Sequence, residues 1–176
     1  MSMAYNYISF LGNADLEQML LEIERRFNEF KVTNPSGFSK EAIGSIFYGL
    51  NPTEFAAATH ISETTKNLRL SYFSARETEY ESGVFIPTGF QDYLTVALAK
   101  IDPHVIAIND FNTTHNEYGS YISLCKDAAN GDFEIVSEYD DIEDPSGTGR
   151  GLSTMHKKMV RSLHKQVPWS KQILKP

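Results

Sequence analysis

The chain has 176 residues, 41% of them hydrophobic and 22% charged, with one cysteine and a net charge of −7. Those figures describe one domain able to bury a core unaided, and they exclude a disulfide framework and a chain too polar to fold. No apolar run approaches the length of a membrane-spanning helix.

The charge is polarised. After Asp144 come seven bases and no acid, which leaves nine of the sixteen bases against all twenty-three acids in residues 1–144, a net of −14. Such a body repels a nucleic-acid backbone and leaves the carboxy-terminal tail as the cationic contact. The first ten residues lack the basic stretch and long apolar core of a secretory signal, so a cytoplasmic protein with no membrane partner is expected.

Tyr5 to Leu11 alternates and is rich in aromatic and β-branched residues, which predicts a first strand closed by Gly12. Asn13 is a good N-cap, with Asp15 and Glu17 in the first turn. Leu16, Met19, Leu20, Ile23, Phe27 and Phe30 then recur at helical spacing up to Lys31, and Glu17, Glu22, Glu24, Arg25, Arg26 and Glu29 make a solvated outer face. Residues 32–67 read as an insertion that starts with a turn at Asn34 to Gly37. It would hold two short helices, one after Ser39 ending at Gly49, the other capped by Thr53 and covering Phe55 to Ala58.

Asn67 to Ala75 alternates as a strand, and Val84 to Ile86 reads as its neighbour. Phe90, Tyr93, Leu94, Ala97, Leu98 and Ile101 then place an apolar stripe on a helix with capping-box spacing at Thr88 and Gln91 and a stop at Asp102-Pro103. Burying that stripe contributes on the order of 10 kcal/mol before entropy, so it is core. His104 to Phe111, Tyr118 to Cys125 and Phe133 to Tyr139 read as three strands, the last two joined by a hairpin signal at Asn130-Gly131. The order βαββαβ plus two strands predicts a ferredoxin-like α+β sandwich over residues 1–144, an antiparallel sheet with two helices on one face.

Residues 145–176 read as a glycine-rich linker and a basic amphipathic helix. Leu152, Met155, Met159, Leu163 and Val167 form its stripe, Lys157, Lys158, Arg161 and Lys165 lie mostly off it, and Pro168-Trp169 ends it.

Enzyme signals are poor. There is no metal-binding, Walker or nucleophile-elbow motif, and His60-Ile61-Ser62 is one half of a two-histidine phosphoesterase pattern that needs two. Gly147, Gly149 and Gly151 precede a helix but follow an acidic run that would repel phosphate, so they read as a linker. Asp110, His115 and Glu117 gather around one turn and define a reading as a small metal-dependent hydrolase. Cys125 falls in an apolar run and is expected to be buried and inert. No cofactor is expected.

The stronger candidates are binding residues: the acids Glu138, Asp140, Asp141, Glu143 and Asp144, and the tail's Lys157, Lys158, Arg161, Lys165 and Trp169. The acids read as a solvated loop or suit a basic patch on a partner. The tail reads as a helix whose stripe docks on the domain while its bases neutralise the acidic body, or whose bases suit an anionic surface and whose Met155, Met159, Leu163 and Trp169 suit a partner's apolar groove.

Three stretches carry a family resemblance: Asn6 to Gly12 (NYISFLG) leading into a helix, Thr64-Thr65-Lys66 opening a strand, and an edge strand running through Pro87 into a helix that ends in Asp-Pro. Over residues 4–125 the chain resembles the YubB-type ferredoxin-like domains of plasmids and phages. It departs from them at Asn67, where that family commonly has tryptophan. The resemblance implies an accessory protein of a mobile element and brings no catalytic residues with it. The expected function is non-enzymatic engagement of a host or partner protein through the acidic surface and the carboxy-terminal helix; nucleic-acid binding by that helix is the alternative.

Overall fold

The structure, a computed structural model, describes residues 2–33, 57–62, 67–76, 88–113, 117–143, 146 and 148–176. The elements are β1 (Ser2–Leu11), α1 (Leu16–Thr33), β2 (Ala57–Ser62), β3 (Asn67–Arg76), α2 (Thr88–Ala99), β4 (Ile106–Thr113), β5 (Glu117–Asp127), β6 (Asp132–Glu143) and α3 (Leu152–Gln166). The six strands form one sheet in the order β2-β3-β1-β4-β5-β6, and every neighbouring pair is antiparallel. The fold is α+β, the class that the sequence pattern predicts.

Successive strand residues point to opposite faces, and this alternation builds two cores. On one face Ile8, Phe10, Leu68, Leu70, Ala107 and Cys125 lie under Met19 and Ile23 of α1 and Leu94 and Leu98 of α2. On the other, Ile106, Ile108, Ile122 and Leu124 lie under Met155, Met159, Val160 and Leu163 of α3. Thus Ile106 and Ala107, or Leu124 and Cys125, are chain neighbours that serve different cores. The molecule has three layers, with α3 as the third.

The interface of α2 with the sheet contains a polar network. The Gln91 amide nitrogen donates toward Ala107 O (3.1 Å), Tyr121 O (3.0 Å) and Ser123 Oγ (3.0 Å), so two hydrogens serve three acceptors. Thr95 Oγ1 donates to Gln91 O at 2.8 Å, which leaves Ser123 to donate to Thr95 at 3.0 Å. Gln91 therefore bonds to the sheet and does not complete the expected capping box.

Other expectations shift as well. The helix predicted over Phe55 to Ala58 gives way at Ala57 and Ala58 to β2, where Thr59 and Ile61 supply β-branched residues. Asn67 to Ala75, expected as the second strand, is therefore the third. The strand at Val84 to Ile86 and the helix from Ser39 to Gly49 lie outside the described residues. The cap of α1 is Asp15, whose Oδ1 accepts the Glu17 N–H at 2.9 Å, and not Asn13. The outer face of α1 does more than meet solvent, because Arg26 bonds Glu22 (2.7 Å), reaches the Tyr93 hydroxyl (3.2 Å) and lies 5.5 Å over that ring, tying α1 to α2. The hairpin at Asn130-Gly131 forms, with Gly131 at φ +83 where a side chain would be strained.

Candidate functional site: a basic helix docked on an acidic strand

The acidic run beyond Tyr139, where the sequence pattern ends the last strand, is the second half of β6, an end strand of the sheet. Alternation divides its acids. Glu138 and Asp140 are half-buried beneath α3, whereas Asp141 and Glu143 are exposed. Asp144 lies outside the described residues.

The apolar stripe of α3 is fully engaged by the sheet. Met155 is 6% exposed, Met159 2%, and Val160, Leu163 and Val167 are completely buried. That burial contributes on the order of 10 kcal/mol before entropy. Polar contacts fix the register: Glu138 Oε1 accepts the Ser162 hydroxyl (2.5 Å) and the Gln166 amide (2.6 Å), and Lys158 Nζ lies 3.5 Å from Asp140. Beyond Pro168, Trp169 donates from Nε1 to Lys126 O at 2.9 Å and packs its ring 4.8 Å from that of His104. His164 Nε2 meets Leu174 O at 2.9 Å, and Leu174 is buried.

These contacts sort the predicted binding residues. Glu138, Asp140, Lys158 and Trp169 hold the carboxy-terminal segment to the sheet, and Met155, Met159 and Leu163 are core rather than a partner's anchor. Lys157, Arg161 and Lys165 remain, exposed and four residues apart along one ridge of α3. On β6, Tyr139 reports the opposite potential. Burial first, then the charge and hydrogen bond of Asp141 and the charges of Glu117 and Asp140, push its hydroxyl above the usual tyrosine range.

Of the three residues of the hydrolase reading, Asp110 and Glu117 fall on opposite faces of the sheet. Asp110 pairs in register with Tyr7 and Ser120 on the α3 side of the sheet. Glu117 shares the parity of Tyr121 and Ser123, which point to α2, so strand alternation sends it to the other face. His115 lies outside the described residues. Among the described residues no group of three or more metal-ligating side chains occurs. Asp110 instead borders a cleft at the start of α3, shared with Tyr7, Ser120 and His156. Sequence reasoning misses those three because only strand pairing and the docking of α3 bring them together. Cys125 is buried, and desolvation ahead of the charges of Asp132 and Asp92 pushes its thiol up to about 11, a protonated and unreactive state.

Compared with protein-family models, curated proteins and solved structures, the chain matches none of them. No described helix is long and apolar enough to cross a membrane.

Proposed function

We propose that this chain is a non-enzymatic binding protein of the phage or plasmid accessory type, acting in the host cytoplasm, and that it engages a partner protein through two charged patches, the acids of β6 and the outward face of the carboxy-terminal helix. The observation that carries this reading is the arrangement of α3. Its apolar stripe is buried, so what it offers outward is the row Lys157, Arg161 and Lys165, while Asp141 and Glu143 stand exposed on β6. Opposite charges on separate elements favour one orientation of a partner and penalise others. The order β2-β3-β1-β4, with α1 and α2 on one face, supports reading this part as the ferredoxin-like sandwich that the resemblance implies.

A tagged pull-down from cell lysate, with and without nuclease and eluted along a salt gradient, tests the proposal. One stoichiometric protein should survive nuclease, and both the triple variant Lys157→Gln, Arg161→Gln, Lys165→Gln and the double variant Asp141→Asn, Glu143→Gln should lose it. A second reading, nucleic-acid binding, is favoured by the basic row alone. It would be supported if nuclease abolishes recovery, the triple variant alone loses binding, and affinity falls steeply with salt.

A further inference from the structure

The cleft at the amino-terminal end of α3 has no part in the reading above. It encloses about 490 Å³ between the sheet and the first turns of the helix, within the range of small-molecule sites, roughly 300–1,000 Å³. Tyr7, Asp110 and Ser120 are consecutive partners across β1, β4 and β5, so they form one row along its floor.

We propose that this cleft binds a small organic cation, an amine or ammonium group carried on an apolar or aromatic body. Asp110 is the one carboxylate among the described residues that line it, and none of them is a lysine or an arginine. Its side chain accepts the Ser120 hydroxyl at 2.9 Å, which occupies one of about four lone-pair sites of an ionised carboxylate. Beside it are Tyr7, 51% exposed, and Tyr118, whose ring faces attract a cation electrostatically. Leu152 and Met155 supply apolar wall, and the unbranched thioether adapts to the shape of an occupant.

Two features oppose a cation. The amino terminus of α3 carries a partial positive charge of about half a unit, which fades within a turn. His156 also borders the cleft from the helix side. Both lie on the helix wall, whereas Asp110 carries a full charge on the floor. The ammonium is therefore assigned to the floor and the apolar body to the space beneath α3.

The test uses three probes of similar shape, 2-phenylethylamine, 2-phenylethanol and 3-phenylpropionate, titrated into the isotope-labelled full chain and followed by backbone amide shifts. The amine should perturb Tyr118 to Ser120 and Leu152 to His156 and bind about tenfold tighter than the alcohol, the scale of one partly solvated charge pair. Asp110→Asn should remove that preference while leaving the dispersion of the spectrum intact, and Asp110→Glu should retain part of it. Failure of the amine to shift these residues, equal or tighter binding of the carboxylate, or an unchanged preference in Asp110→Asn would overturn the proposal. Its failure would leave the partner-binding surface untouched, since none of the residues varied there lines the cleft.

Discussion

Gly12 sits so close to the carboxylate of Asp102 that no β-carbon fits between them: one built there would overlap Oδ2 and lie 3.3 Å from Cγ. The approach is close because Asp102 Oδ2 accepts the N–H groups of Asn13 (2.7 Å) and Ala14 (3.2 Å), while Oδ1 accepts that of His104 (3.0 Å). One buried carboxylate thus ties the β1–α1 connection to the α2–β4 connection. Gly12→Ala should cost about 1–3 kcal/mol through overpacking, and Asp102→Ala about 3 kcal/mol through buried donors left without an acceptor. In the Asp102→Ala background the glycine substitution should cost little, giving a coupling of about 1–3 kcal/mol in a denaturant double-mutant cycle. Additive penalties would mean that Gly12 is needed for something other than room for this carboxylate.

A second prediction concerns pH. Asp92 accepts the Tyr121 hydroxyl at 2.8 Å across the α2–sheet interface, yet burial raises its carboxyl above the ordinary 3.8 by more than this hydrogen bond lowers it. An acid whose folded value lies above its unfolded one keeps its proton longer in the native state. Its contribution to stability is therefore full below pH 3.8 and declines as pH rises through the folded value. Asp92→Asn retains an acceptor and abolishes the titration. Relative to the parent, the variant should gain stability as pH climbs through that window and keep the gain above it, in urea unfolding at a series of pH values. Tyr121→Phe should widen the window, because it removes a hydrogen bond that favours the ionised form.

How far the sequence reveals this architecture depends on where the deciding contacts lie. The stripes of α1, α2 and α3 are legible because each obeys the helical period over many residues, and that period is a local property. Gln91 is misread for the same reason: its spacing from Thr88 is local, whereas its partners Ala107, Tyr121 and Ser123 come from two strands. β2 is hard to see because Ile61 is the one large apolar residue in a strand otherwise of alanine, threonine, histidine and serine, which gives little apolar contrast. The acidic half of β6 looks like a loop by composition, but the pairing of Tyr139 with Tyr121 and of Ile142 with Tyr118 holds it in the sheet. Charges along an end strand also discourage edge-to-edge association, so the acids fit that position. Residue types in the tail identify a basic helix, but only the alternation of β4 and β5 reveals an apolar patch on the second face of the sheet to receive it. The cleft beside Asp110 is the extreme case, since its walls come from three strands and a helix far apart in the chain.

That docking can be dissected, because the chain's one tryptophan lies in the docked segment. Leu163, on the sheet-facing side of α3, is wholly buried, and Leu163→Ala should cost about 2–5 kcal/mol. The Lys158–Asp140 pair is 3.5 Å long with the lysine side chain 80% exposed, so Lys158→Gln should cost less than about 0.5 kcal/mol. The two substitutions therefore separate apolar burial from charge as the force that holds the basic helix over the acidic strand. Trp169 packs on His104 and bonds Lys126 O, so its emission reports whether the segment remains seated. In Leu163→Ala the fluorescence transition should move to lower denaturant and precede the loss of far-ultraviolet circular dichroism, since α1, α2 and their core are untouched. In Lys158→Gln both transitions should stay in place at low and at high salt. Were Lys158→Gln to release Trp169 as readily as Leu163→Ala, the helix would be held by its charges, and the row Lys157, Arg161 and Lys165 would belong to the docking of α3 rather than to a partner.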